Sequence, residues 1–195
     1  GDGSIIGDNC KIFSNVSIYH GVTIGNSVTV HSCSVIGGDG FGFAHDSRHW
    51  VKIHQLGGVI IGNRVEIGSC TTIDRGALSD TVIEDGVILD NHIQIAHNVH
   101  IGENTAIAGC SGISGSTEIG KNCTFAGQTG IVGHLKICDG VITTGGTIIT
   151  KSISESGSYS SGTPLSLTEK WKKNAVRFTQ LNDLVQRLKR LEKKV

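Results

Sequence analysis

The 195-residue sequence contains no methionine, one proline and only 5% aromatic residues. A conventional globular core of this length would use more rings, so the interior is expected to be a narrow stack of aliphatic side chains. No apolar run approaches the ~20 residues of a membrane span, and no signal peptide opens the chain. Neither sign of charge dominates. Its 17 basic residues balance 17 acidic ones, which removes any global bias toward nucleic acid or membrane. Cys10, Cys33, Cys70, Cys110, Cys123 and Cys138 form no C-x-x-C pair. That scatter suits reduced thiols in the cytoplasm better than a disulfide framework or a zinc site. A chain that begins at Gly1 without methionine reads as a fragment or a processed product.

Glycine is abundant, with 28 residues, and so is isoleucine at a fixed interval. An aliphatic residue recurs every six positions from Ile6 to Ile36, again over Ile61, Ile67 and Ile73, and again from Ile83 to Ile149. Of these 21 positions 17 are isoleucine, and a small or β-branched residue such as Val28, Thr71 or Thr105 commonly stands two places earlier. Neither a heptad nor simple alternation gives this pattern. A six-residue period predicts a parallel β-helix, one short strand and one corner per hexad and three hexads per coil. The count gives about seven coils. The every-sixth side chain points inward, where β-branched residues suit a pleated surface, and glycine is expected to permit the corners.

Two interruptions break the frame, at residues 38–57 (GDGFGFAHDSRHWVKIHQLG) and about 74–80 (DRGALSD), and are expected to project as loops. The first holds Phe41, Phe43 and Trp50, three of the five Phe and Trp residues before position 160, and so predicts contact with a neighbour or ligand. The reading places the β-helix at 1–153, a connector at 154–167 and a helix at 168–195. In the last segment Trp171, Phe178, Leu181, Val185, Leu188 and Val195 form a coiled-coil-like stripe. Nine Lys/Arg against three Asp/Glu make that segment +6. One such helix is marginal alone, which points to a trimer.

The stretch DNHIQIAHN (90–98) places two histidines among strand residues. As a lone corner residue, His97 would carry no function. One coil of 18 residues later stands Gly115, whose N–H would serve as an oxyanion donor. Asp90, Asn91 and Gln94 precede His97 in the same coil as partners for a ring or a substrate. Histidine's ordinary pKa near 6.5 suits proton removal at neutral pH. The competing reading is metal. His92 and His97 make H-x4-H, with His54 upstream, resembling the three-histidine zinc site of β-helix carbonic anhydrases, in which zinc would generate hydroxide.

The hexad body, DGFGFA (39–44), TTIDRGAL (71–78), LDNHIQIAHNV (89–99), AIAGCSGISGS (106–116), GIVGHLKICDG (130–140) and YSSGTPL (159–165) together resemble the UDP-3-O-acylglucosamine N-acyltransferases of lipid A biosynthesis. The resemblance covers nearly the whole chain. It implies a left-handed β-helix homotrimer in the cytoplasm, with active sites between subunits. It also implies transfer of a 3-hydroxyacyl chain from acyl carrier protein to the 2-amine of UDP-3-O-acylglucosamine. No cofactor is implied beyond the 4'-phosphopantetheine that arrives on the donor. His97 would be the general base, Gly115 the oxyanion hole, and Asp90 and Gln94 orienting residues. His134, two coils from His97, would lie near a substrate phosphate or the pantetheine arm. Asn91, Tyr159 and Ser160 are further substrate or donor contacts, and His92 is decoration. The tail cations, Lys172 and Arg177 among them, would steer an acidic carrier protein.

Two departures follow from the same resemblance. The family's N-terminal uridine-binding domain and first coils are missing from this sequence. Where relatives carry T-G-M-x-M, this chain has Gly146 and Ile148, expected to alter the floor of the acyl pocket in favour of longer chains. An acetyl-CoA-dependent acetyltransferase, a zinc enzyme and a non-catalytic trimeric scaffold are the competing classes.

Overall fold

The computed structural model describes residues 1–193. Contacts divide the chain into Gly1–Gly162 and Thr163–Val195. The first unit is a solenoid of two- to four-residue strands in three parallel sheets of seven, eight and seven strands. Within the uninterrupted part the register advances by one coil, Ile83 pairing with Ile101, Ile101 with Ile119 and Ile119 with Ile137. Across the two interruptions it lengthens: Ile24 pairs with Ile61, and Ile73 with Ile95. The insertions are therefore looped out without disturbing the stack. The first carries an antiparallel hairpin, Phe43–His45 with Trp50–Lys52.

The every-sixth aliphatics fill the prism. From Ile24 to Ile149 they are buried, and Phe125 occupies one such place. Each fully buried aliphatic contributes roughly 1.5–3 kcal/mol relative to an exposed one. The residues two places earlier, such as Val28, Thr71, Thr105 and Thr129, are buried beside them. Thr105 and Thr129 satisfy their hydroxyls on the carbonyls of Gly120 and Ala126. Ile6 and Ile12, in the first coil, remain 47% and 40% exposed because no coil lies beneath them.

Glycine's expected role needs correction. Most corners are turned by non-glycine residues in the left-handed region, including Asn9, Cys70, Asn98, Ser116 and His134. Asn pays the smallest penalty there. The glycines that follow the buried aliphatics allow close stacking instead. A Cβ on Gly102 would lie 2.6 Å from the Gly120 carbonyl carbon, and one on Gly68 would lie 2.4 Å from that of Asp90.

The segment expected to connect body and helix contributes a rung of its own, Gly157–Tyr159 pairing with Val141–Thr143. Its Tyr159 hydroxyl donates to the Glu155 carbonyl at 2.8 Å, and the Thr144 hydroxyl donates to Ser160 Oγ at 2.8 Å. The single helix expected at 168–195 is two helices, α1 (Thr168–Thr179) and α2 (Leu181–Glu192), with Gln180 between them. Thr179 back-bonds its hydroxyl to the Val176 carbonyl, which loosens a helix end. Val195, the last residue of the expected apolar stripe, lies outside the described residues. Among the described residues no helix is long and apolar enough to cross a membrane.

Candidate active site

His97 occupies a corner just after the strand Gln94–Ile95, between Gly40 of the first insertion and Gly115 of the next coil. A Cβ on Gly40 would lie 2.7 Å from His97 Cβ, and one on Gly115 would lie 2.7 Å from both Cε1 and Nε2 of the ring. Only residues without side chains leave room for the imidazole there. The one-coil relation to Gly115 expected from spacing holds, since the Ser116 N–H donates to the His97 carbonyl at 3.0 Å. Ser114 and Ser116 both donate their N–H groups to neighbouring coils, but among the described residues the Gly115 N–H has no acceptor.

Asn98 sets the state of the ring. Its Oδ1 accepts the Ala77 N–H at 2.9 Å, and its Nδ2 donates to Ser79 O at 2.7 Å and to Ser79 Oγ at 2.9 Å. The amide orientation is therefore set by partners at both ends. His97 Nδ1 lies 3.0 Å from that same Oδ1, an atom that only accepts. In the neutral ring Nδ1 thus carries the proton, and Nε2 is left with its lone pair. Ala77 and Ser79 belong to the second insertion, so this loop serves to orient the histidine.

Two hollows adjoin at Phe41, Gln94 and Ala96, and His97 lines the first of them. One, of about 470 Å³, runs over the outward face of the third sheet, where Gln94, Gly112, Gly130 and Ile148 stand in register on successive coils. The two glycines leave a trough about 14 Å long at the ~4.8 Å strand spacing. Its walls are apolar apart from Gln94, His97 and Ser114, with Phe41 at one end and Ile148 at the other. The second hollow, of about 440 Å³, lies under the first insertion and is polar, holding Asp39, Lys52, Asp74 and Gln94 between Phe41 and Phe43. Lys52 and Asp39 form a close ion pair, and the hydrogen bond from Lys52 holds the Asp39 carboxyl below its ordinary range. Burial pushes the Asp74 carboxyl up to about 6, against the downward pull of its bond from Gln94 and of the His97 charge. Gln94 Nε2 donates to Asp74 Oδ2 at 2.7 Å, while Gln94 Oε1 accepts from the Thr72 hydroxyl.

Four of the residues expected from sequence are brought together here: His97, Gly115, Gln94 and Ile148. Asp90 and Asn91 are not. They stand at the opposite corner of the same face, before the strand rather than after it. Asp90 accepts the N–H groups of Asn91 and Gly109, and Asn91 Oδ1 accepts that of Ser69. Within the chain Asp90 braces a corner and does not orient His97. His92 shares that corner, so the two histidines of H-x4-H lie at opposite ends of one strand and do not converge on a metal. His134 is exposed on the His97 edge, two coils away, its N–H donating to the Gly115 carbonyl. Gly146, Tyr159 and Ser160 lie in the final coils, and Gly146 lies outside the trough that Ile148 closes. Lys172 and Arg177 belong to α1, in the second unit. Sequence reasoning passed over Asn98, Asp74, Asp39 and Lys52. Asn98 had a visible signal, as the residue immediately after His97.

Parallel hexapeptide coils with a corner histidine over a glycine-floored trough define a hexapeptide-repeat protein, and the family model "Bacterial transferase hexapeptide (six repeats)" matches residues 3–38 and 80–115. The solved UDP-N-acetylglucosamine acyltransferase of Bacteroides fragilis 9343 superposes with a TM-score of 0.68 at 25% identity, over 76% of this chain and 56% of that one. The Francisella novicida UDP-N-acetylglucosamine acyltransferase shares the fold at a TM-score of 0.76 and 18% identity, over 90% of this chain and 64% of that one. Closer in sequence is the UDP-3-O-acylglucosamine N-acyltransferase of Pseudomonas paraeruginosa, 58% identical over 86% of this chain and 48% of the relative. That of Coxiella burnetii is 52% identical over 94% of this chain and 54% of the relative. Over the residues matched the chain is similar to UDP-3-O-acylglucosamine N-acyltransferases, and it spans about half the length of the curated relatives it matches.

Proposed function

We propose that this chain carries the acyl-transfer site of an N-acyltransferase that moves a 3-hydroxyacyl group from acyl carrier protein to the 2-amine of UDP-3-O-acylglucosamine. The observation that carries the reading is the state of His97: Nδ1 committed to Asn98, Nε2 bare, at the head of an apolar trough. In the reaction the amine nitrogen attacks the thioester carbonyl carbon while Nε2 takes the proton that the nitrogen sheds. The oxyanion that forms is met by the Gly115 N–H. Collapse breaks the C–S bond, and the imidazolium returns its proton to the leaving phosphopantetheine thiolate. An amide and a free carrier thiol result.

The trough suits an acyl chain or the pantetheine arm, and the polar hollow suits the acceptor. Lys172 and Arg177, with the other cations of α1 and α2, suit the acidic carrier protein. Exposed Phe41, Trp50, Leu56 and Leu78 on the two insertions, with the apolar stripes of α1 and α2, support a homotrimer whose subunits complete one another's sites. The solenoid is taken as left-handed and the protein as cytoplasmic. Acyl transfer from a 3-hydroxyacyl carrier protein to UDP-3-O-acylglucosamine, followed by mass spectrometry for this chain and its His97→Ala variant, tests the reading. Turnover that vanishes with the histidine is expected. Turnover that survives in the variant refutes His97 as base, and none in the unmutated chain refutes transfer by this polypeptide.

A further inference from the structure

Asp74 is a half-buried carboxylate with an unusual surrounding. It follows a register shift in the third sheet, where Asp74 pairs with Gly38 instead of continuing the Ile73–Ile36 register. The shift turns the next side chain, Arg75, inward, where its guanidinium donates to the Gly37 and His20 carbonyls and faces His20 Nε2. Asp74 itself faces the polar hollow. One of its oxygens takes the Gln94 amide, and the other has no partner among the described residues. No cation of the described residues stands within ion-pair distance of it. Lys52, across the hollow, is already paired with Asp39. Among the side chains that line the hollow, Asp39, Lys52 and Asp74 therefore sum to one negative charge when Asp74 is ionised, and His97 acts on Asp74 from outside the lining.

A carboxylate left partly desolvated without a cation is costly, and a protein retains such a group most readily where a ligand supplies the missing charge. We infer that Asp74 is the recognition group for the acceptor's amine, holding it as an ammonium beside His97 and so selecting amino-sugar over hydroxyl acceptors. The inference rests on the acyl-transfer reading for the identity of the acceptor. Amines carrying electron-withdrawing neighbours titrate near the α-amino range of about 7.7–8.0, so at neutral pH a large share arrives as the cation. The free oxygen of Asp74 accepts a hydrogen bond from the ammonium while Gln94, itself fixed by Thr72, holds the other oxygen still. Before attack the ammonium gives one proton to solvent by way of this carboxylate, and the neutral amine that results sheds its second proton to His97 as it attacks. A hydroxyl acceptor gains no charge-assisted bond in the same place. Burial keeps the carboxyl near 6 in the empty site, and a bound ammonium would pull it back down.

The test is Asp74→Asn in the full chain, because asparagine keeps an acceptor for Gln94 and loses only the charge. Expected is a rise in KM for UDP-3-O-acylglucosamine of about tenfold or more, with KM for the acyl carrier protein donor unchanged. Direct calorimetric binding is run in parallel with the acceptor and with its analogue bearing a 2-hydroxyl. The unmutated chain should prefer the amine, and Asp74→Asn should bind the two alike. An amine preference that survives in the variant overturns the inference, as does a chain that never prefers the amine. No turnover in the unmutated chain, with its binding preference for the amine present and lost in Asp74→Asn, would instead count against the acyl-transfer reading and leave the ammonium site standing.

Discussion

Two corners of one coil make the most instructive comparison in the molecule. The strand Gln94–Ile95 has His92 at one end and His97 at the other, and both corners are closed by a residue in the left-handed region, His92 itself and Asn98. At the first corner Asp90 and Asn91 spend their side chains on backbone N–H groups of adjacent coils, and His92 points to solvent. At the second, both insertions converge: Gly40 of the first covers the ring, and Ala77 and Ser79 of the second fix the Asn98 amide. The repeat supplies equivalent corners everywhere. Insertions convert one of them into a site, by excluding water from one face of a histidine and dictating which nitrogen bears its proton.

The strongest way to break that comparison is to remove each histidine in turn. His97→Ala should lower kcat by about 10²–10⁴, the range for a general base, whereas His92→Ala should stay within about twofold because nothing in the coil depends on its ring. Equal losses in steady-state assays would erase the distinction between the corners. Next comes the glycine pair on the following coil. Gly115→Ala places a methyl 2.7 Å from the His97 ring and must rotate it away from Asn98, whereas a Cβ on Gly112 meets nothing within 4 Å. A fall in kcat of about 10² is expected for Gly115→Ala from misplacement alone, whereas the methyl of Gly112→Ala narrows the trough without touching the ring and should raise KM for the acyl donor instead. Circular dichroism should show both variants folded.

The third test moves along the trough. Ile148 closes the end away from Phe41, and Gly146 lies outside it, so chain length should be read at Ile148. Ile148→Ala should shift preference toward longer acyl donors by about tenfold, since a methylene in an apolar pocket is worth ~1–3 kcal/mol. Competition between C12 and C16 donors, with products weighed by mass spectrometry, checks it. An unchanged product ratio would separate the trough from the acyl chain.

How much of this was legible in the sequence follows from what repeats and what does not. The period places the buried isoleucines of the frame from Ile24 to Ile149 and sets Gly115 one coil from His97, because register in a solenoid is arithmetic. It fails where side chains must be assigned to corners. Asp90 stands seven residues from His97, close in sequence but across a full strand, and proximity in sequence misled. Asp74 was hidden for the opposite reason: a register shift at the edge of an insertion aims it at the site, and no periodic pattern reports such a shift. Non-glycine corners were missed because Asn, Cys and Ser together take the left-handed region here more often than glycine does, and their side chains do not announce it. The break between α1 and α2 at Gln180 lay within a continuous apolar stripe that reads as one helix.

The smallest effect sets the site against the scaffold directly. In the regular coils, buried charge is absent and every interior position adds stability, whereas Asp74 should subtract it. Its folded pKa, about 6, lies above the ordinary 3.8. The native state therefore binds more protons than the unfolded chain between these values, and stability falls as pH rises through that window. The cost is absent below about pH 4 and complete above about pH 6. Asp39 and Asp85, whose carboxyls are held low by Lys52 and by Asn63 respectively, act in the opposite sense, so only a difference between variants isolates Asp74. Asp74→Asn should accordingly raise Tm above pH 6 by about 2–4 °C, corresponding to about 1 kcal/mol once solvent screening of a half-exposed group is allowed for. The gain should shrink toward zero near pH 4. A gain that does not change with pH would mean that the side chain's shape, and not its buried charge, strains the site. The same substitution is expected to weaken acceptor recognition while firming the fold, the trade expected of a charge kept for a ligand.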